Sequence, residues 1–219
     1  HKVLQYLELD DLRRVMERLA YWVQTQGNSG DETGDKDGGT LIDRDELIDQ
    51  LKREIKTLKG IELYQATEEA ERFVNFIRDR TGLLNEQGQD YYAFVHKTFQ
   101  EYLCTQEIDY QADNDGDFDI VLDCIRDRLH DSHWREVLLL LIAQQKPKKA
   151  AKAIRAILNH NSESEKWLHR DLLFAGYCLA EDPREERNLV DDAKYDEIAA
   201  RLRGRLDEWF VEYAQASLD

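Results

Sequence analysis

The amino-acid sequence predicts a mainly α chain: helices around one short β-hairpin, then a second, wholly helical domain. Three observations lead there. Apolar residues recur at helical spacing along most of the chain, as in Leu12, Val15, Met16, Leu19, Ala20 and Val23. Glycine (11) and proline (2) are scarce among 219 residues, which favours helix over sheet. A β-type alternation stands out at Tyr91 to Val95, directly after a turn-forming stretch, Asn85 to Gln89.

Taken in order, Asp10 or Asp11 can cap a first helix that runs to about Gln26. Gly27 to Thr40 reads as a polar loop. A second helix is expected from about Arg44 to Leu58, with Leu47, Ile48, Leu51, Ile55 and Leu58 as its apolar face and Gly60 as its stop. A third is expected from about Thr67 to Arg80, ended by Thr81-Gly82. Leu83-Leu84 then enters a strand, residues 85–89 turn, and Tyr91 to Val95 returns. Thr98 with Glu101 three residues later forms a capping-box pattern, so a helix should start there and run to about Ile108. Phe99, Tyr102 and Leu103 would be its buried face. Three helices, a hairpin and a helix make the content of a winged-helix domain, assigned to residues 1–112.

The acidic stretch Asp109 to Asp117 is read as a break, and residues 113–219 as a second α-helical domain. Its expected helices cover Ile120 to Leu129, His133 to Ile142, Pro147 to Leu158 and, behind a Ser162–Glu165 capping box, Lys166 to Ala180. Pro183 interrupts the chain. A last amphipathic helix carries Ile198, Leu202, Leu206, Trp209, Phe210 and Tyr213. Successive antiparallel helices of this length resemble HEAT-type or other superhelical units, without a clean sequence repeat.

Net charge is −16, from 30 basic and 46 acidic residues. That disfavours phosphate-backbone contact with nucleic acid and binding to anionic membranes. The expected third helix sets Glu68, Glu69, Glu71 and Asp79 against Arg72, Arg78 and Arg80, so it has no basic reading face. The longest apolar run, Val137 to Ala143, is too short to span a bilayer. Cys104, Cys124 and Cys178 are odd in number and each in an apolar helical setting, which suits reduced thiols of a cytoplasmic protein. The chain opens on His1 and not on Met, as expected of a fragment or processed chain.

The junction of strand and helix carries the strongest signal. His96 falls beside a helix N-terminus, where backbone N–H groups favour an anion. The string Phe94-x-His96-x-Thr98-Phe99-Gln100-Glu101-Tyr102 resembles the F-x-H-x-[ST]-F-Q-E-Y/F signature near the end of the NACHT module. NACHT proteins are nucleotide-switched signalling ATPases of the STAND class, and the signature lies in their winged-helix domain. The resemblance is strong over about Thr81 to Ile108 and softer over Leu12 to Gln145. The segment Trp134-Arg135-Glu136-Val137 resembles the helical region that follows, where Trp134 would be a packing anchor. Cys104 departs from the family's usual small residue.

The resemblance implies that His96 contacts the phosphates of bound ADP and holds a closed, inactive state. It implies ADP or ATP, with Mg, as cofactors of a full-length protein, and an upstream nucleotide-binding core as partner. Oligomerisation on activation and a role in bacterial antiviral defence are also implied. No G-x-x-x-x-G-K-[ST] occurs in the chain, so the phosphate-cradling loop of such an ATPase is not in it. The chain alone is therefore expected to bind no nucleotide and to hydrolyse none. The competing reading is a stand-alone helical interaction scaffold without any nucleotide link.

Other candidates are weaker. Asp35 to Glu46 has EF-hand-like spacing, but Gly39 offers no ligand at position 5 and Thr40 replaces the glycine of position 6. Asp113, Asp115, Asp117 and Asp119 would need a glutamate where Cys124 stands. Lys146, Lys148, Lys149, Lys152 and Arg155 form a basic cluster, read as a solvated face or an ion-paired seam against acidic helices. His130, His133, His160 and His169 show no metal spacing, and no catalytic constellation is present.

Overall fold

The computed structural model describes residues 4–26, 41–78, 83–88, 90–163 and 165–180. Two compact units divide the chain, His1–Tyr110 and Gln111–Asp219. The expected loop 27–40, the helix stop at 81–82 and the last helix at 198–213 lie outside the described residues.

In the first unit, α1 (Leu9–Gln26) buries Val15, Leu19 and Val23 on its predicted stripe. α2 (Arg44–Lys59) starts where the Asp43 side chain accepts the N–H of Asp45 at 2.8 Å. It ends at Gly60, whose φ of +62° suits a residue without Cβ. α3 runs Leu63–Phe76, four residues earlier than expected at its start. The cap explains the difference: Glu62 and Gln65 satisfy each other's backbone N–H groups, doing with Glu what Ser or Thr usually does.

The sheet has three strands, one more than the hairpin the sequence predicts. β2 (Leu84–Glu86) and β3 (Tyr91–Phe94) form the hairpin, and β1 (Ile42–Asp43) adds to its other side in the order β1-β3-β2, all antiparallel. Two residues carry no readable alternation, so β1 is invisible to periodicity. It matters because it ties the start of α2 to β3 through Ile42 opposite Tyr92. Tyr92, Ala93 and Phe94 are buried, and with Phe73, Leu51 and Ile55 they form the core of this unit.

α4 extends over Lys97–Asp115 and corrects two expectations. Its start precedes Thr98, which lies in the first turn and not at the cap. Its end lies well past Ile108. Acidic side chains tolerate a solvated helix, and the stop comes at Gly116, with φ +65°. The division between the two units falls within this helix.

In the second unit, α5 (Asp119–Arg128) and α6 (Arg135–Ala143) pack with α7 (Pro147–Leu158). α6 supplies Val137, Leu138 and Leu141 to the core, and Trp134 just before it is 2% exposed, as an anchor should be. The helix expected from Lys166 to Ala180 is two helices, α8 (Glu165–Leu168) and α9 (Arg170–Ala180). His169 divides them with a left-handed φ of +48°. Glu165 therefore does not close a box with Ser162: its carboxylate accepts the N–H of Asp171 at 2.8 Å and of Leu172 at 3.3 Å, capping α9.

Candidate functional site

His96 sits on the exposed bend between β3 and α4. The geometry behind it is fixed. Val95 N–H donates to Leu83 O at 3.0 Å, and Phe99 N–H donates to His96 O at 3.0 Å, so His96 occupies the position just ahead of the helix. Its ring lies against Phe99, with centroids 5.6 Å apart at an interplanar angle of 53°. The imidazole is thus presented at the surface beside the amino end of a 19-residue helix, where the helix dipole favours negative charge.

α4 inverts the expected burial at Phe99 and Tyr102, while Leu103 is half-buried. Phe99 is 44% exposed and Tyr102 47%, while Gln100, Glu101, Thr105 and Glu107 are buried around Cys104, Ile108 and Ala112. At about 100° per residue, Tyr102 stands roughly 160° and Phe99 roughly 140° around the helix from Cys104. The inward face is polar because its partners are polar. Gln100 Nε2 donates to Gln24 Oε1 at 2.8 Å, in a buried contact. Glu107 lies 2.6 Å from the Arg14 guanidinium, which also pairs with Glu17. Arg14 further rests on the Tyr110 ring, 3.6 Å from its centroid. Lys97 Nζ lies 3.5 Å from Glu101. Apolar periodicity alone could not have found this arrangement.

The other sequence candidates go elsewhere. Residues 35–40 of the EF-hand-like segment lie outside the described residues, and Asp43 within it is engaged as the α2 cap. Asp113 pairs with Lys149 at 2.8 Å and Asp119 with Lys152 at 3.1 Å, which realises the ion-paired seam for those two lysines. Asp117 accepts the Asp119 N–H at 2.9 Å. Among the described residues, no group of His, Cys, Asp or Glu could hold a metal ion. Also among them, no helix is long and apolar enough to cross a membrane.

The second unit contains a polar knot that no spacing announces. Asp171, fully buried, receives the His130 ring at 2.7 Å and the Ser162 hydroxyl at 2.6 Å on one oxygen, and the Ser162 N–H at 2.9 Å on the other. Burial pushes the Asp171 carboxyl up, but Ser162 and His130 outweigh it and hold the group below its ordinary value. The three residue types are those of a hydrolase triad, yet the wiring differs. In a triad the histidine uses one nitrogen for serine and the other for aspartate. Here Ser162 and Asp171 both meet Nε2, and the serine hydroxyl donates to the carboxylate, so the serine has no base. The knot joins the end of α5, the turn before α8 and the start of α9.

A family model described as "Winged helix-turn-helix domain C-terminal to NACHT" matches residues 3–108. No curated protein and no solved structure matches the chain. The match spans α1 through most of α4, including the three-stranded wing and the His96 bend. Residues 3–108 therefore belong to the winged helix-turn-helix family that follows NACHT nucleotide-binding domains, and the P-loop core of such proteins is not in this chain.

Proposed function

We propose that the winged-helix unit is the lid of a NACHT-type switch ATPase, closing over an upstream nucleotide-binding core and holding it in the ADP-bound, inactive state. The observation that carries this reading is the head of α4: His96 is exposed at the amino end of a long helix, flanked by the exposed rings of Phe99 and Tyr102. An imidazole there can donate a hydrogen bond to a phosphate oxygen, and the helix end adds a favourable field. The aromatic rings can cover the core around it. Exchange of ADP for ATP would remove the contact and free the lid, a ligand-biased two-state switch. The second unit would relay that change or join an oligomer contact.

Nucleic acid has no part in this reading. On α3, the helix that reads DNA in many winged helices, Arg72 is held by Glu68 and Glu69. Arg78, just beyond it, lies 3.7 Å from Glu86.

The test is His96→Ala in a protein that carries this unit together with its nucleotide-binding core. Nucleotide extracted from the purified protein should contain severalfold less ADP than wild type, and basal ATP turnover should rise. Unchanged ADP retention would remove His96 from the nucleotide site.

A further inference from the structure

The second unit holds a cleft of about 260 Å³ between the α5–α6 connection and α9. Its floor is apolar, made by Leu129 and Phe174, both buried. Its walls carry two guanidinium groups, Arg135 and Arg170, and the His130 ring. Each arginine is exposed and has a neighbour. Arg135 lies over the Tyr177 ring, 4.7 Å from the centroid. Arg170 Nη2 donates to His130 O at 3.4 Å. His130 is itself fixed by Asp171 and Ser162. The one carboxylate of the lining, Asp131, accepts the His133 N–H at 2.9 Å.

We propose that this cleft binds a small aromatic anion, with the ring on the apolar floor and a carboxylate or phosphate between Arg135 and Arg170. The charge argument is local. The chain as a whole carries −16, so anions are repelled at long range. Inside the cleft two arginines face one committed carboxylate, Asp131, and Arg135 also lies 3.8 Å from the exposed Glu136 carboxylate. Guanidinium groups suit planar oxyanions. The apolar floor with half-exposed Leu173 and Tyr177 at its rim is the usual lining of a small-molecule site. The volume limits the ligand to about one ring and one anionic group, since drug-sized ligands need roughly 300 Å³ or more.

The same chemistry could come from a free metabolite or from the C-terminal carboxylate of a peptide that ends in an aromatic residue. The experiment uses the whole chain and saturation-transfer NMR titrations with phenyl phosphate, inorganic phosphate and glycyl-phenylalanine. One of the two aromatic probes should bind with a dissociation constant in the millimolar range or tighter. Arg135→Gln and Arg170→Gln should each weaken it at least tenfold while the melting temperature stays unchanged. Tighter binding of phenyl phosphate assigns a free small anion, and tighter binding of the dipeptide assigns a chain terminus. Absence of binding by both aromatic probes, binding untouched by both substitutions, or equal binding of inorganic phosphate would overturn the proposal.

Discussion

Glu69→Ala should be among the most destabilising single changes in the winged-helix unit. Glu69 projects from α3 and is fully buried. One carboxylate oxygen accepts the N–H of Tyr6 at 2.8 Å and of Leu7 at 3.0 Å; the other accepts the N–H of Gln5 at 3.1 Å and a donor of Arg72 at 3.3 Å. It therefore anchors three successive backbone amides ahead of α1. Removing it strands the buried Leu7 N–H at about 1–3 kcal/mol. The amides of exposed Gln5 and half-buried Tyr6 regain water, and each loses about 1 kcal/mol net. Arg72 keeps Glu68. The sum is roughly 3–5 kcal/mol, a large part of a typical domain's 5–15 kcal/mol. For a unit of this size that is more than about 10 °C of melting temperature. Circular-dichroism melts would read the loss, and hydrogen exchange at Tyr6 and Leu7 would localise it in a chain of two units. Glu69→Gln should cost less, because one amide oxygen still accepts from Tyr6 and Leu7 while its NH₂ faces the Gln5 donor. Wild-type stability and undiminished protection in Glu69→Ala would refute the reasoning.

Two further predictions concern the second unit. The Asp171 carboxyl is depressed in the fold, so it contributes stability above its unfolded value, near 3.9, that is lost as pH falls through the folded value. Urea unfolding from pH 7 to pH 3 should therefore show the wild type weakening below about pH 5, and Asp171→Asn, lower at pH 7, should show a flatter profile; parallel profiles would count against the knot. Burial pushes the Cys124 thiol up to about 12, so iodoacetamide at pH 8 should label it far more slowly than a free thiol, with labelling restored in urea. Fast labelling of the folded chain, read by mass spectrometry, would contradict that.

Much of the fold is legible because single residues set the boundaries. Asp43 and Gly60 delimit α2, and Pro147 opens α7, each through a local backbone requirement. Illegible features depend on partners distant in sequence. β1 exists because Ile42 meets Tyr92, fifty positions on. The split between α8 and α9 follows from a glutamate that caps forward onto Asp171 and Leu172. At the candidate site, the position of His96 ahead of a helix was readable, and the burial of the helix was not. Apolar spacing pointed to Phe99 and Tyr102 as core; Gln24 and Arg14, about 80 to 90 positions away, supply polar partners that turn the opposite face inward.

That inversion carries the last prediction. Polar groups inside a helix interface cost stability unless each finds a partner, and half-exposed rings on the outer face add little to this chain. α4 carries both: a polar inner face held by specific pairs, and Phe99 and Tyr102 outside. The arrangement makes sense if the outer face has its own partner in the closed state, with His96 beside it. Phe99→Ala and Tyr102→Ala should then change the melting of this chain by little, within about 1 kcal/mol each for half-exposed rings. In a protein that includes the nucleotide-binding core, the same substitutions should lower ADP retention alongside His96→Ala. Substitutions that destabilise this chain strongly and leave ADP retention unchanged would show that the rings serve the fold of the unit, and would separate the aromatic face from the switch.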